Sequence, residues 1–325
     1  MNLRDLPLEV LDQILTLAIS IHPSPRNVIS VNRTFHDIGI HFLYTRLRFK
    51  TIRQLSLFSQ TPSLVPYLPQ EVTVTLSGGT ADFKVFHYLA AVFKKCISDG
   101  ISEQYFNNLA DSPVALPMDR LYLRLNSHMS NPNLHQIYDA LVLANPREFT
   151  WLGPDPSHHF STAIMQADMK LNGAYKIVPA ATFHLFRAIA GWPAIESITI
   201  TNLSFPSDQL QDVPLLPLSH RLRTLYLGQA TFLPPSAIAA MVLHQEPEEQ
   251  DGSLEQIRLV DTYPESIWGR RLRRADIEKA ALALPFARLY GAEAALERIR
   301  RIVRCEAMNE RIMGGDRSEG LTVLE

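Results

Sequence analysis

Short runs of aliphatic residues recur along the chain after residue 50, and this recurrence constrains the fold more than any other feature. The runs occupy residues 72–76, 121–123, 149–152, 198–200, 225–227 and 257–259, and three of them fit an L-x-x-L-x-L pattern with aliphatic variation. Such runs predict short β-strands. Counted from Leu47, the central residues of successive runs are separated by 25, 49, 28, 49, 27 and 32 positions. This spacing indicates a structural unit that is repeated along the chain.

Amphipathic helical patterns lie between these strands. Apolar residues at helical spacing begin at Phe83, Leu134, Phe183 and Ile238. Strands that alternate with helices at a near-constant period are typical of parallel strands joined by helical crossovers, so we predict an α/β fold with parallel strands. Each of the two long intervals predicts either a degenerate repeat or an insertion, and residues 174–178 are a candidate strand in the second.

Three of the six intervals have the length of leucine-rich repeats, which are about 20–29 residues long, and the two intervals of 49 are close to double that length, so the pattern resembles this family. This resemblance implies an irregular leucine-rich-repeat-like solenoid with parallel strands. The asparagine or cysteine that follows the repeat strand in that family is replaced here by Leu203, Ala230 and Thr262. The repeats are therefore degenerate, and an open α/β layer is the alternative.

The first predicted helix carries two apolar stripes. It begins after Pro7; one stripe runs through Val10, Ile14, Leu17 and Ile21, and the other through Leu8, Leu11, Leu15 and Ala18. An ordinary surface helix buries only one such stripe. We therefore expect this helix to be covered on both sides.

Asn27 is predicted to cap a second helix. Its apolar face runs through Val28, Val31, Phe35, Ile38 and Phe42, with a weak point at Gly39. Helices this short make a poor core for one another. The surplus apolar surface indicates either a partner-binding site or packing against the rest of the chain.

The residues of this segment resemble the F-box, as found in fungal-type F-box proteins. The matching residues, in order, are Leu6-Pro7-Leu8-Glu9-Val10-Leu11, Ile14-Leu15, Val31-Asn32-Arg33-Thr34-Phe35-His36 and Phe42-Leu43-Tyr44-x-x-Leu47. The resemblance covers residues 5–49 and implies a helical module that packs on the small Skp-type adaptor of cullin–RING ubiquitin ligases. The adaptor-facing residues that it implies are Leu6, Pro7, Val10, Ile14, Val31, Phe35 and Leu43.

The chain divides into three predicted regions. Residues 1–50 form the F-box-like helical module, and residues 51–315 form the α/β body. A helix over residues 291–313 is expected to close the body, since repeat arrays need an end cap. Residues 316–325 are predicted to form a flexible tail.

Composition narrows the environment and the partners. The formal net charge is −2, which gives no reason to expect nucleic acid or an anionic membrane as the main partner. The two cysteines, Cys96 and Cys305, are too few for a disulfide scaffold, so a reducing compartment fits. The sequence shows no signal-peptide core and no apolar run near the roughly 20 residues of a membrane span. We expect a cytoplasmic protein, with the nucleus also open.

No residue pattern indicates a catalytic, cofactor-binding or metal site. Ser77-Gly78-Gly79-Thr80 lacks the lysine of a phosphate-binding loop, and His158-His159 has no further ligand at metal-binding spacing. Both predict ordinary loops. Arg270-Arg271-x-Arg273-Arg274 is a basic cluster. We predict that it lies on a solvated surface and that acidic residues at 246–251 neutralise its charge. Binding of an acidic partner and nuclear import are its alternative roles.

Taken together, these patterns predict a non-catalytic adaptor without cofactors. The F-box-like helices would bind the Skp-type adaptor, and the body would bind an unidentified target protein. The mechanism would be proximity, because two binding events raise the effective concentration of the target near the ligase. Two alternatives stay open: a ligase-independent scaffold whose helices merely cap the body, and an enzyme whose catalytic groups converge only in space.

Overall fold

The structure is a computed structural model that describes most of the chain. The described residues are 6–76, 84–100, 115–125, 133–153, 170–171, 174–175, 181–203, 205, 215–216, 220–243, 254–267, 269–285, 291–308 and 323–325. Its helices are α1 (Leu8–Ile21), α2 (Pro25–Ile29), α3 (Arg33–Thr45), α4 (Ile52–Gln60), α5 (Val85–Gly100), α6 (His135–Leu141), α7 (Ala181–Ile189), α8 (Pro235–Leu243), α9 (Arg274–Ala283) and α10 (Ala292–Ile302). Its strands are β1 (Arg46–Phe49), β2 (Glu71–Thr75), β3 (Leu116–Arg124), β4 (Ala144–Leu152), β5 (Lys170–Leu171), β6 (Ala174–Tyr175), β7 (Ser197–Thr201), β8 (Thr224–Gly228), β9 (Gln256–Val260) and β10 (Val303–Glu306).

Eight strands form one sheet whose spatial order is also their order along the chain. The order is β1-β2-β3-β4-β7-β8-β9-β10, and every neighbouring pair is parallel. Right-handed crossovers that always step in the same direction place their helices on one face of the sheet. The helices accordingly pack in succession, with α5 between α4 and α6, α7 against α6, and α9 between α8 and α10. The predicted α/β fold with parallel strands is confirmed.

Two rows of apolar side chains cross the whole sheet on its helix-covered face. The first row is in register through Leu47, Val72, Leu121, Phe149, Ile198, Leu225, Ile257 and Val303. The second row lies two residues further along each strand, through Phe49, Val74, Leu123, Trp151, Ile200, Leu227, Leu259 and Cys305. None of these side chains is more than 5% exposed. A one-residue slip would turn a strand's apolar residues toward water, so this burial fixes the register.

Two tryptophans belong to this core. Trp151 stacks on Phe86 of α5 with ring centroids 5.8 Å apart, and Trp192 makes an edge contact with Phe149 at 4.9 Å. The indole Nε1–H of Trp192 also donates to the carbonyl of Leu141 at 3.0 Å. Both tryptophan side chains are buried, so they pack the interior and are not available to a partner. Trp268 lies outside the described residues.

The two long intervals hold insertions. β2 pairs directly with β3, and β4 pairs directly with β7, so no strand of the main sheet lies between the members of either pair. The candidate strand at 174–178 is found over its first two residues, but it does not belong to the main sheet. Residues 174–175 form β6, which pairs antiparallel with β5 in a separate two-stranded sheet, and residues 176–178 lie outside the described part of the chain.

The C-terminal end of the sheet differs from the predicted single capping helix. α10 ends at Ile302, and the chain continues directly as β10, the eighth strand of the main sheet. Ile299, Ile302 and Val303 are buried, as a helical face would require, but Cys305 is also buried while Arg304 is exposed. This alternation continues the two apolar rows of the sheet. Burial of Val303 and Cys305 in those rows favours the strand over further turns of helix.

The last three residues cover the outer edge of β10. The backbone N–H of Leu324 donates to the carbonyl of Cys305 at 2.8 Å, and the Leu324 carbonyl accepts from the Arg274 N–H at 3.2 Å. The Leu324 side chain is buried. Residues 323–325 of the predicted tail thus pack against the body, while residues 316–322 lie outside the described chain. An exposed strand edge invites pairing with other chains, and this contact occupies it.

Candidate functional site

One apolar stripe of α1 is buried and the other is open. Leu11, Leu15 and Ile19 are at most 5% exposed, and α1 contacts α2 and α3. On the other side of the helix, Val10 and Ile14 are each 41% exposed, with Leu17 at 61% and Ile21 at 73%. The two stripes were predicted; in the described part of the chain one is covered except for Leu8, which is exposed at its start, and the other is left open.

The second predicted helix is two helices. α2 begins at Pro25, and Asn27 lies within it instead of capping it. The helical conformation is interrupted at residues 30–32. α3 then begins at Arg33 with Asn32 as its N-cap, and the Asn32 side-chain oxygen accepts from the Phe35 N–H at 2.9 Å. The apolar periodicity runs through this break, which explains why the pattern alone favoured one continuous helix.

Gly39 of α3 packs tightly against both neighbouring helices. A Cβ atom at this position would overlap Cγ2 of Ile29 and lie 3.2 Å from Cδ1 of Ile19. Gly39 is buried within α3, so it is a packing position for α1 and α2 and not merely a weak point of the helix. The three helices thus share a small core of their own around Leu15 and Phe42.

The adaptor-facing residues implied by the F-box resemblance all lie at accessible positions. Pro7, Val10, Ile14 and Val31 are exposed, and Leu6, Phe35 and Leu43 are half-buried. Three exposed apolar residues were not included in that set: Leu8, Leu17 and Ile21. Leu17 and Ile21 could have been found from their spacing, since they continue the stripe of Val10 and Ile14. We call Leu8, Val10, Ile14, Leu17, Ile21 and Val31 the apolar helical surface.

No loop separates the helical module from the sheet. α3 ends at Thr45 and β1 begins at Arg46. The Thr45 carbonyl accepts from the Gln70 N–H at 2.9 Å, and the His41 ring meets the Tyr67 ring edge-on at 4.8 Å. The predicted boundary at residue 50 therefore follows a strand that already pairs with β2.

The opposite face of the sheet carries polar side chains that remain at least partly accessible in the described part of the chain. A register row between the two buried rows consists of Arg48, Thr73, Tyr122, Thr150, Thr199, Tyr226, Arg258 and Arg304. Each of these residues is half-buried or exposed. Parallel sheets usually have both faces covered, so an uncovered polar face is a candidate binding surface. We call it the open sheet face.

Cross-strand ion pairs order much of this face. The shortest nitrogen–oxygen distances are 2.8 Å between Arg120 and Glu148 and 2.6 Å between Arg258 and Glu306. The Arg258 guanidinium also lies 5.6 Å from the ring centroid of Tyr226. Burial is the main cause that raises the pKa of Tyr226, so its hydroxyl stays protonated at neutral pH and can donate a hydrogen bond.

The basic cluster at 270–274 is paired internally. Arg271 is buried and donates from Nε to Asp261 at 2.9 Å, Arg270 pairs with Asp276 at 2.6 Å, and Arg274 lies 3.5 Å from Glu278. These arginines are therefore neutralised by local carboxylates, and Arg271 is not on a solvated surface. The acidic residues at 246–251, the glycine pair Gly78-Gly79 and the histidine pair His158-His159 lie outside the described residues.

Among the described residues, no group of three or more His, Cys, Asp and Glu side chains could hold a metal ion. In the same part of the chain, no helix combines the length and apolar character needed to cross a membrane.

Comparison with known proteins adds no relative. No protein-family model matches the chain, and no curated protein or solved structure matches it significantly. The functional argument therefore depends on the two surfaces described above and on the residue patterns.

Proposed function

We propose that this chain is a substrate-recognition adaptor of an SCF-type, cullin–RING ubiquitin ligase. The F-box-like helices α1–α3 bind a Skp-type adaptor through the apolar helical surface, and the sheet body binds a target protein. The observation that carries the proposal is the open stripe of α1. Val10 and Ile14 stay 41% exposed although the other stripe of the same helix is buried. A folded chain that leaves so much apolar area in water favours a partner that covers it.

If the chain were instead a ligase-independent scaffold, these helices would bury their surplus apolar surface against the body. The open stripe argues against it. The buried residues Leu11, Leu15 and Ile19 also lie outside the main core, which begins at Leu47. The helical module has its own interior, and its surplus faces solvent.

We further infer that the body is an irregular leucine-rich-repeat-like solenoid. Its strands add in chain order, and the residue after each of three consecutive strands has the same left-handed backbone: Asn202 at φ 61°, Gln229 at φ 50° and Asp261 at φ 49°. Each of them donates its N–H to the last residue of the next strand. Leu203, Ala230 and Thr262 then turn inward and are buried. An apolar or threonine side chain thus occupies the position that asparagine holds in regular repeats.

Direct titration tests adaptor binding. The purified chain is titrated with a Skp-type adaptor by calorimetry, and wild type is compared with Ile14→Asp. A charge buried in an apolar contact is costly, so we expect Ile14→Asp to weaken binding by at least about tenfold. Leu57→Asp is the matched control, because Leu57 is an exposed leucine on α4, outside the apolar helical surface. Absence of wild-type binding at tens of micromolar, or equal loss in both variants, would overturn the proposal.

A further inference from the structure

The open sheet face has a surplus of positive charge. Seven guanidiniums and four carboxylates occupy exposed or half-buried positions on its described strands: Arg46, Arg48, Arg120, Arg124, Arg147, Arg258 and Arg304, with Glu71, Asp119, Glu148 and Glu306. The chain as a whole has a net charge of −2. The positive charge is therefore a local property of this face and not a consequence of composition.

All four carboxylates are already engaged, and Asp119 lies 4.0 Å from Arg147. Glu71 lies 3.9 Å from Arg46, Glu148 lies 2.8 Å from Arg120, and Glu306 lies 2.6 Å from Arg258. Arg48, Arg124 and Arg304 are exposed and make no ion pair with another described residue. These three guanidiniums retain their full capacity for bidentate binding of a carboxylate.

Two of the three lie close together at the β1–β3 end of the face. Arg48 is in register with Thr73 and Tyr122, and Arg124 lies two residues beyond Tyr122 on the same side of β3. Standard sheet spacings place the Cα atoms of Arg48 and Arg124 about 12 Å apart. Residues four positions apart in an extended chain are about 13 Å apart and point the same way. The half-buried Tyr122 neighbours Arg124 on β3 and is in register with Arg48, and tyrosine and arginine are enriched among the residues that contribute most to protein interfaces.

We propose that the β1–β3 end of the open sheet face binds an extended acidic segment of a partner protein. Carboxylates four residues apart in that segment pair with Arg48 and Arg124, and its backbone packs across Thr73 and Tyr122. The inference rests on the proposed function for its biological role, since it names the chemistry of the target. The location fits that role, because β1 follows α3 directly and the site lies at the end of the sheet that adjoins the helical module.

Fluorescence anisotropy of the full chain with labelled peptides tests this proposal. The probe peptide alternates glutamate with serine, and its matched control alternates glutamine with serine. We expect the glutamate peptide alone to bind, and its affinity to fall as salt screens the charges. Arg48→Ala/Arg124→Ala should weaken binding by at least about tenfold, the loss of two charge-assisted contacts.

The control variant is Arg53→Ala/Arg301→Ala, which removes two exposed arginines from α4 and α10 and leaves the open sheet face intact. Its affinity should stay within about twofold of wild type, since only the pair on the open sheet face contacts the peptide. Equal loss in the two double variants, no binding of the glutamate peptide, or tighter binding of an oligoadenylate RNA with the same dependence on Arg48 and Arg124 would each overturn the inference.

The same variants separate this inference from the proposed function. Both double variants should bind the Skp-type adaptor like wild type, because none of the four arginines belongs to the apolar helical surface. Adaptor binding without peptide binding defeats the acidic-segment proposal alone. Peptide binding without adaptor binding defeats the ligase proposal and leaves the acidic-segment site standing.

Discussion

Arg271 donates from Nε to the carboxylate of Asp261 at 2.9 Å, and both side chains are at most 2% exposed. Asp261 is the first residue after β9, and its carboxylate also accepts from the backbone N–H of Met308 at 3.2 Å. The pair therefore joins the end of β9 to the segment before α9 and to the segment after β10. Removing one partner of such a pair leaves the other charge buried and unpaired.

We predict that Arg271→Ala lowers the free energy of unfolding by about 3–5 kcal/mol, the range for a broken buried ion pair. Arg270→Ala is the neighbouring control. Arg270 pairs with Asp276 at the surface, where such contacts contribute about 0–1 kcal/mol. Urea denaturation of both variants measures the difference. A loss for Arg271→Ala no larger than that for Arg270→Ala would contradict the prediction.

Gly39→Ala should destabilise the helical module. The added methyl group overlaps Ile29, and overpacking of this kind costs about 1–3 kcal/mol, more than the roughly 1 kcal/mol that alanine gains over glycine in a helix. Amide hydrogen exchange should show faster opening in α1–α3 and no change in β7. Ile29→Ala removes the atom that the new methyl group meets. The double variant should therefore lose less stability than the sum of the two single variants, and simple additivity would argue against the clash.

Asp276 gives the stability of α9 a pH dependence. Burial acts to raise the pKa of Asp276, but hydrogen bonds from the Arg270 guanidinium and the Arg273 backbone N–H outweigh it, so the pKa lies below its ordinary value of 3.8. A lowered folded pKa means that the carboxylate stabilises the fold above pH 3.8 and that this contribution is lost as the pH falls through the folded pKa.

Asp276→Asn should therefore cost about 1 kcal/mol at pH 7, the typical value of a helix N-terminal contact, and progressively less below pH 4. Thermal unfolding of wild type and variant at pH 7, 4 and 3 measures this convergence. A difference that is constant with pH would show that the loss comes from packing and not from the carboxylate charge.

Both cysteines should resist alkylation in the folded protein. Burial is the largest cause that raises the pKa of Cys96 and of Cys305, each to about 12, so almost no thiolate exists at pH 8. We expect iodoacetamide to modify neither residue in the native chain and both in urea, as read by intact mass. Rapid native labelling at either residue would show that its surroundings open readily.

Much of the sheet could be predicted because its rows are apolar and regular. Leu225 and Leu227 alternate with polar neighbours, and this period of two is directly visible in the amino-acid sequence. β10 was missed for a physical reason: Ile299, Ile302 and Val303 satisfy helical spacing equally well, and only pairing with β9 favours the strand. The break before Asn32 was hidden in the same way, since the apolar spacing continues across it.

The candidate surfaces could be predicted only in part. The stripe of Val10 and Ile14 is visible in the sequence because a surplus of apolar residues is a local property. That Arg48 and Arg124 lie near each other depends on the parallel pairing of β1, β2 and β3, which brings together residues 76 positions apart. No local pattern contains that information.

The direct passage from α3 into β1 has a mechanical consequence. No linker residue separates Thr45 from Arg46, and the Gln70 N–H donates a hydrogen bond to the Thr45 carbonyl from a second segment of the chain. A molecule bound to the strands therefore keeps a fixed orientation relative to a molecule bound to the first helices. Under the proposed ligase role, this fixed orientation would determine which lysines of a bound target face the ligase. Their position on the target, and not the residues around them, would decide which are modified.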